Sequence, residues 1–417
     1  MTAQKHLKAR IRARMAKTGE RYAAARRHVA GDTRPVTDHG WTLRGGQHPD
    51  TAVISHLLAD RGVPLSEAMV LGIGGGLGAG YILWEFAQHD HPDLTLGFRH
   101  RWNYLDATDR TLDRLGVRYT VHTTAGAKAA ARQLSAALAE GRRAIIVPDW
   151  YRIGYWQLPP NRDGHGGHPV VAYAETAGGV RIDDRNTGPL TVDRAAVDAA
   201  RARVSSYRNR LVLIDQVATP DDLAGAVRAG VRDCVQHLGG TSASFALPAW
   251  RKWAKMCTDR RHAKGWPTVF AGGRGLAGAL LTAWEEIEPV GMSGGNLRGL
   301  YADFLDEAAQ LLGPAASGAA AEFRAAAGEW HAFAEAALPP DVPEYARLRE
   351  LTAAVAEGVA LGAPAADAGA ELWDLRRELD EKPPVAPDFG MLAERMTAVH
   401  AAEESAVAAL RGVEHGD

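Results

Sequence analysis

The sequence predicts a two-domain protein: an α/β (α+β) domain with a mixed or antiparallel sheet, followed by an all-helical domain. Helical and strand patterns alternate between residues 51 and 147, and further strand patterns follow between residues 169 and 214. After Pro220 almost no strand pattern remains, and helical periodicity takes over. The predicted units are a basic helical arm at 1–30, the α/β domain at 31–216 and the helical domain at 217–417.

The composition favours a protein of the cytoplasm. Its 417 residues carry 48 Lys and Arg against 50 Asp and Glu, so the whole molecule has no strong electrostatic preference for nucleic acid or membrane. Two cysteines, Cys234 and Cys257, are too few for a disulfide framework or a thiolate metal site. No apolar run approaches the roughly 20 residues of a membrane span. We expect a cytoplasmic protein that makes no membrane contact and needs no cofactor.

The N-terminal arm is strongly basic. Residues 5–29 hold nine Lys or Arg and a single acid, and Leu7, Ile11 and Met15 recur at helical spacing. Two functions fit this pattern, a solvated docking arm or an arm that binds RNA phosphates. For the second, the contact residues would be the cations Lys5, Lys8, Arg10, Arg12, Arg14 and Lys17.

The elements of the α/β domain follow from periodicity and capping residues. Residues 31–46 are polar and turn-rich, which indicates a connecting loop. Residues 51–61 place their apolar side chains on one helix face with Asp50 at the start, and a second helix begins at Leu65 and is broken by the glycine run at 72–81. The other predicted elements are helices at 103–115 and 125–140 and strands at 119–122, 144–147, 170–174, 179–182 and 210–214.

The helical domain is predicted from stretches with helical periodicity. These stretches are 221–238, 248–256, 276–288, 297–311, 315–337 and 344–380. Its large aromatic side chains are interpreted as core residues rather than as a cofactor site; they are Trp284, Trp330, Trp373, Tyr301 and Phe304.

Two histidines and two aspartates lie at the ends of predicted elements. Residues 48–51, His-Pro-Asp-Thr, precede a buried helix, His168 opens a strand, and Asp183 and Asp184 end the next strand. A nucleophile at a helix start, a His on a strand and an acid on the adjacent strand is the architecture of papain-like cysteine enzymes. The helix N–H groups stabilise a thiolate and an oxyanion, the His moves the proton and the acid orients the His. Because neighbouring strand residues face opposite sides, only one of the two aspartates can meet His168.

The ordered motifs resemble the family of the butirosin biosynthesis protein BtrH. The matching motifs are residues 47–52, 65–69, 72–81, 167–173 and 183–189, and residues 296–309 resemble the uncharacterised helical domain that usually follows. The resemblance spans roughly residues 36–340. It implies a papain-like fold and acyl transfer, because the protein that gives the family its name passes an aminoacyl group from a carrier-protein thioester to an aminoglycoside amine.

The family usually carries Cys directly after the first His, whereas this chain has Pro49. Three hypotheses follow. In the first, His168, oriented by one aspartate, acts as a general base, and an activated acyl ester passes directly to an amine or hydroxyl acceptor. In the second, Thr51 or Ser55 replaces the thiol as nucleophile. In the third, the chain is a pseudoenzyme or binding subunit that kept the fold and lost the reaction.

The remaining assignments concern the walls of the site and the partners. His48 is either a second base or a structural group at the helix start. The glycine run is expected to pass beside residues 48–51 and shape an acyl pocket, since it lacks the Gly-Lys-Ser/Thr ending of a phosphate loop. The predicted substrate-binding residues are Thr51, Gly75, Gly76, Tyr81, Trp150, Tyr151 and Asn186.

The expected acyl donor is an acyl carrier protein or an aminoacyl-tRNA, and the acceptor is a small molecule. Homo-oligomerisation is left open. His165, His168 and Asp163 are too few ligands on a glycine-rich loop to predict a metal site.

Overall fold

The computed structural model describes residues 35–85, 91–100, 104–159, 162–164, 166–385 and 388–414. The basic arm lies outside these residues, and so do all six of its proposed RNA contacts, Lys5, Lys8, Arg10, Arg12, Arg14 and Lys17.

The chain begins with two antiparallel hairpins separated by two helices. These elements are β1 (Val36–Asp38), β2 (Trp41–Leu43), α1 (Pro49–Asp60), α2 (Glu67–Ile73), β3 (Leu77–Trp84) and β4 (Asp93–Arg99). Pro49 is the first residue of α1, where its fixed φ suits the helix and its missing N–H costs no helical hydrogen bond. The Ser66 side chain caps α2 by accepting a hydrogen bond from the Met69 N–H.

The sequence predicts neither hairpin correctly. β1 and β2 lie in the predicted connecting loop, and β3 contains the second half of the glycine run. Glycine is normally depleted in strands, but a Cβ on Gly78 would lie 2.1 Å from the Arg99 backbone oxygen. Only a residue without a side chain lets β3 approach β4 this closely.

The rest of the first domain is a six-stranded sheet with helices. Its elements are α3 (Tyr104–Arg114), β5 (Arg118–His122), α4 (Ala127–Ala139), β6 (Ala144–Ile146), α5 (Trp150–Ile153), β7 (Val170–Thr176), β8 (Gly179–Asp183), β9 (Leu190–Val192), α6 (Arg194–Arg203) and β10 (Leu211–Gln216). The strand order is β5-β10-β6-β7-β8-β9, and every neighbouring pair is antiparallel. The predicted α+β class with an antiparallel sheet is confirmed.

The second part of the described chain is helical, as predicted. Its helices are α7 (Leu223–Leu238), α8 (Pro248–Thr258), α9 (Trp266–Val269), α10 (Leu276–Ile287), α11 (Arg298–Leu312), α12 (Ala315–Ala337), α13 (Pro343–Ala360), α14 (Ala366–Glu381) and α15 (Phe389–Glu414). The stretch predicted at 344–380 contains two of them, because Gly362 has a φ of +70° and Pro364 cannot continue α13.

A buried arginine joins the helical domain to the β3–β4 hairpin. Arg298 and Glu403 are both fully buried and their Nε and Oε1 atoms lie 2.5 Å apart. The Nη2 of Arg298 also donates to the Gly78 backbone oxygen at 2.9 Å, and the Trp330 Nε1 donates to Glu403 at 2.7 Å. Trp284, Trp330, Tyr301 and Phe304 are buried core residues. The two domains therefore share one apolar core.

Candidate active site

His168 and Asp184 form a buried imidazole–carboxylate pair. The backbone N–H of His168 donates to the Pro148 oxygen at 2.8 Å, which fixes the residue just before β7. The Nε2 of His168 lies 2.8 Å from Oδ2 of Asp184, at the end of β8. Of the two aspartates that the sequence offers, Asp184 is therefore the partner of His168.

Asp184 accepts hydrogen bonds on both carboxylate oxygens. Tyr155 Oη and Trp156 Nε1 donate to Oδ2 at 2.9 and 2.8 Å, and Arg185 Nε donates to Oδ1 at 2.9 Å. Burial by itself would raise the pKa of Asp184, but the charges of Arg185 and His168 and these hydrogen bonds outweigh it and hold the pKa below its usual value. The carboxylate is therefore ionised throughout the neutral range.

The ionised carboxylate determines which nitrogen of His168 can act as a base. An ionised carboxylate only accepts hydrogen bonds, so Nε2 of His168 carries the proton that faces Asp184. The lone pair of the neutral ring is then on Nδ1. This assignment rests on the hydrogen-bond partners, and it makes Nδ1 the basic atom of the pair.

Asp183 has a different set of partners and anchors α1 to the sheet. Its Oδ2 accepts from Trp41 Nε1 at 2.9 Å and lies 3.0 Å from His56 Nδ1. Asn186, predicted to bind substrate, is used within the turn after β8. Its Oδ1 accepts from the Asp184 N–H at 3.0 Å, and its Nδ2 donates to the Ile182 oxygen at 3.0 Å.

The start of α1 is occupied by Glu67, which was not among the predicted site residues. The backbone N–H groups of Gln47 and His48 donate to its two carboxylate oxygens at 2.9 and 2.6 Å, and the Thr51 hydroxyl donates at 2.8 Å. Pro49, which stands where the family has Cys, offers neither a thiol nor an N–H. The sequence signals for Glu67 were its place in the matching motif at 65–69 and its position directly after Ser66, the cap of α2.

His48 is buried beside the same group of residues. It is 8% exposed, and its Nδ1 has no hydrogen-bond partner among the described residues. Burial, with the nearby charges of Arg99, Arg185 and His168, lowers the pKa of His48 well below its usual value, so the ring is neutral.

Arg185 connects the helix start to the imidazole–carboxylate pair. Its Nη1 donates to the Gln47 oxygen at 2.9 Å, its Nη2 lies 3.5 Å from His168 Nε2, and its guanidinium stacks over Trp156 at 5.6 Å. Its backbone has a φ of +61°, which is uncommon for a residue with a side chain. Thus the structure brings together His48, His168 and Asp184, with Arg185 at their centre.

The side chain of Arg99 links the glycine run to the start of α1. Arg99 donates to the Gly76 oxygen at 2.7 Å and pairs with Asp50 Oδ2 at 3.3 Å. A Cβ on Gly75 would contact His100, and one on Gly76 would contact Tyr301 of α11. The expectation that the run lies directly against residues 48–51 is corrected: Arg99 stands between them.

Tyr81 lies in the aromatic core between the domains. It is 2% exposed, accepts a hydrogen bond from Trp266 Nε1 at 3.0 Å and stacks on Trp253 with 5.1 Å between ring centroids. Trp150, in contrast, lies beside His168 with 6.2 Å between ring centroids, and Tyr151 packs against Trp150 at 6.1 Å. Of the predicted aromatic substrate contacts, Trp150 is the one that faces the imidazole–carboxylate pair.

The pair is closed to solvent in this structure. His168 is 1% exposed and Asp184 2%. Two contacts from the helical domain hold the surrounding segments in place: Gln47 Nε2 donates to the Gly294 oxygen at 2.8 Å, and Trp373 Nε1 donates to the Gln157 oxygen at 2.6 Å. An open depression lined by Asp113, Val117, Arg118, Tyr119 and Asp215 lies at the β5–β10 edge and contains none of these residues.

Neither cysteine belongs to the site. Both are buried, Cys234 against Gly76 and Tyr301 and Cys257 within α8. Burial raises the pKa of Cys234 to about 11 and also raises the pKa of Cys257. Within the described ranges no three His, Cys, Asp or Glu side chains are grouped as metal ligands; His165 lies outside those ranges.

None of the described helices combines the length and the apolar character that crossing a bilayer requires.

The family model for the N-terminal domain of butirosin biosynthesis protein H matches residues 48–185, which include His48, His168, Asp184 and Arg185. A domain of unknown function, DUF4872, matches residues 195–361. Comparison with the curated proteins gave no match. The chain thus belongs to the two-domain family in which a butirosin biosynthesis protein H N-terminal domain is followed by this helical domain.

Proposed function

We propose that the protein is a biosynthetic acyl- or aminoacyltransferase that moves an activated acyl group to an amine or hydroxyl acceptor by direct general-base transfer. The observation that carries the proposal is the 2.8 Å contact between His168 Nε2 and Asp184 Oδ2. An ionised partner orients the imidazole and stabilises its protonated form, which is what a general base requires.

In the proposed reaction, Nδ1 of His168 takes a proton from the acceptor while the acceptor nitrogen or oxygen attacks the acyl carbonyl carbon. The new C–N or C–O bond forms, and the bond from the acyl carbon to the donor's sulfur or oxygen breaks. The imidazolium then returns its proton to the departing thiolate or alkoxide. An already activated ester needs no covalent relay, because orientation can supply roughly 7–11 kcal/mol and a base about 10²- to 10⁴-fold in rate.

Direct transfer is favoured over a covalent intermediate because no suitable nucleophile stands at the start of α1. Pro49 has none, and the Thr51 hydroxyl is fully buried and donates to Glu67 at 2.8 Å. The Ser55 hydroxyl donates to the Leu65 oxygen at 2.6 Å. For Thr51, Glu67 is an adjacent base, but the neighbouring backbone donors that would hold an oxyanion are already bound to the same carboxylate.

The donor is either a carrier-protein thioester or an aminoacyl-tRNA, and the acceptor is a small molecule. The proposed acceptor contacts are Trp150, whose ring centroid lies 6.2 Å from that of His168, and Tyr151, which packs against Trp150. Access requires that the closed segments separate, and the Gln47–Gly294 contact is one that must break.

A non-catalytic binding protein is the second candidate, and two observations favour it. The imidazole is closed to solvent, and Glu67 fills the helix start where a papain-like enzyme would bind an oxyanion. A protein that retained the fold for binding alone would tolerate both features.

The test compares acyl transfer by the wild type and by His168→Gln. Glutamine can still hydrogen-bond Asp184 but has no basic nitrogen. Carrier-protein thioesters and aminoacyl-tRNAs are offered with small amine acceptors, and products are followed by mass spectrometry. We expect a loss of at least about 10²-fold in the variant. Equal rates would exclude His168 as the base, and a covalent acyl adduct on the intact protein would overturn direct transfer. If the wild type transfers an acyl group from neither donor class, the result favours the non-catalytic binding protein.

A further inference from the structure

A dense group of cations lies on α8 and on the loop that follows it. Residues 251–264 contain six Lys or Arg and a single acid, Asp259, in a chain whose net charge is only −2. Five of the six are exposed and Lys252 is partly buried. We call this group the β3 basic surface; its members are Arg251, Lys252, Lys255, Arg260, Arg261 and Lys264.

The cations of the β3 basic surface form no ion pair within the described part of the chain. Two exposed arginines elsewhere are paired: Arg324 with Asp303 and Asp306, and Arg347 with Glu350 and Glu371. On the β3 basic surface the one nearby carboxylate, Asp259, already accepts hydrogen bonds. The backbone N–H groups of Arg261 and His262 donate to its Oδ1 at 2.9 and 3.0 Å and so shape the loop. Positive charge here is therefore available to a partner.

The surface follows the outer edge of β3. Lys252 Nζ lies 5.7 Å above the Tyr81 ring, and Lys264 Nζ donates to the Leu83 oxygen at 3.3 Å. Immediately before the other end of β3, Gly76 is joined through Arg99 to Asp50 at the start of α1. Eight strand residues span about 25 Å, so this one strand connects the basic surface to the candidate active site.

Two exposed aromatic rings accompany the cations. Trp84 follows Leu83 at the end of β3, and Phe245 follows Ser244, whose hydroxyl lies 3.5 Å from Lys252 Nζ. Both rings are 41% exposed. Cations that bind phosphates and aromatic rings on which bases stack are the two components of single-stranded nucleic-acid sites.

We propose that the β3 basic surface binds the phosphate backbone of RNA. Six cations beside a single carboxylate that already accepts two hydrogen bonds suit a chain of phosphates. The rings beside them favour RNA over an acidic protein face, which offers no bases to stack. If the proposed transferase function holds, on which this second step rests, the bound RNA is the donor whose acyl ester is transferred at His168.

The test measures binding of deacylated bulk tRNA to the full-length protein by fluorescence anisotropy over a series of salt concentrations. The double variant Arg260→Gln/Arg261→Gln removes two exposed cations that pair with no carboxylate. We expect its affinity at about 0.1 M salt to fall about 25-fold or more, and the slope of log K against log salt to become shallower by about 1.4 or more. The matched control, Arg324→Gln/Arg347→Gln, removes two exposed arginines that already have partners and should bind as the wild type does.

Trp84→Ala tests the stacking component separately. It should weaken binding by roughly 5-fold or more while leaving the salt slope unchanged, because no charge is removed. The assay uses deacylated tRNA and needs no acyl transfer, so a failure of the transferase proposal does not affect this measurement.

Two outcomes would overturn the proposal. One is tRNA binding by the Arg260/Arg261 double variant that equals the wild type in affinity and slope. The other is an absence of tRNA binding together with binding of an acidic acyl carrier protein that the same double variant loses, which would assign the surface to a protein partner.

Discussion

The carboxylate of Glu67 lies across the first turn of α1, with Oε1 2.6 Å from the backbone nitrogen of His48. In a papain-like enzyme this helix end would stabilise an anionic nucleophile and an oxyanion. Here a side chain of the protein itself supplies the negative charge. At this helix start, therefore, Pro49 offers no thiol and the N–H groups of residues 47 and 48 are already bound to Glu67.

Glu67→Gln should destabilise the protein. The amide of Gln would place N–H groups against one of the two backbone donors, so a buried donor loses its acceptor, and the free energy of unfolding should fall by about 1–3 kcal/mol. Urea denaturation measures this. Glu394→Gln, at an exposed position of α15, is the control and should stay within about 0.5 kcal/mol of the wild type. Equal stability of the two variants would contradict the assigned hydrogen bonds.

Asp184→Asn and Asp183→Asn should differ in their effect on acyl transfer. Asn at 184 cannot stabilise a protonated His168, so the rate should fall by about 10²- to 10⁴-fold. Asn at 183 disturbs the contacts with Trp41 and His56, which lie away from the basic nitrogen, so the folded fraction should keep most of its rate. Initial rates normalised to folded protein check this. Similar losses in both variants would mean that Asp184 has no special part in the reaction.

The stability of the protein should depend on the ionisation of Glu286. Burial is the main cause that raises the pKa of Glu286 from 4.5 to about 7, against the hydrogen bond from Ser293 Oγ. The folded state therefore retains a proton that the unfolded chain releases, and stability falls as the pH rises from about 4.5 to about 7. Glu286→Gln cannot ionise and should be more stable than the wild type at pH 8, relative to pH 5, by about 1–2 kcal/mol.

Denaturation midpoints at several pH values test this difference. Glu285, whose pKa burial also raises to about 7 and whose charge adds to the raised pKa of Glu286, remains in both proteins. Parallel stability curves of variant and wild type would refute the assignment to Glu286.

Glu403→Gln should be strongly destabilising. It leaves the guanidinium of Arg298 buried without its counter-charge, and breaking a buried pair typically costs about 3–5 kcal/mol. The exposed pair of Arg324 with Asp303 is the matched control, and Asp303→Asn should cost less than about 1 kcal/mol. Guanidinium denaturation of both variants measures the two losses in the free energy of unfolding. A cost for Glu403→Gln as small as that of the control would mean that this buried pair does not stabilise the fold.

The sequence alone determined the class of both domains, most helices, and the strands of the six-stranded sheet except the short β9. It also placed His168 and the two aspartates on adjacent strands. These features follow from local pattern: apolar side chains recur with the period of the helix or the strand, and capping residues mark the ends. The absence of a thiol at position 49 was likewise visible without coordinates.

Only the tertiary structure decided which aspartate meets His168, because Asp183 and Asp184 are equivalent in sequence and differ in the side of β8 from which partners approach. It likewise revealed the hairpin through the glycine run, where close backbone contact with Arg99 overrides the low strand propensity of glycine. Glu67 and Arg185 gained their positions from backbone groups of residues 47 and 48, 19 to 138 residues away along the chain. No periodic pattern records such contacts, since they depend on how the elements pack and on which buried polar groups need a partner.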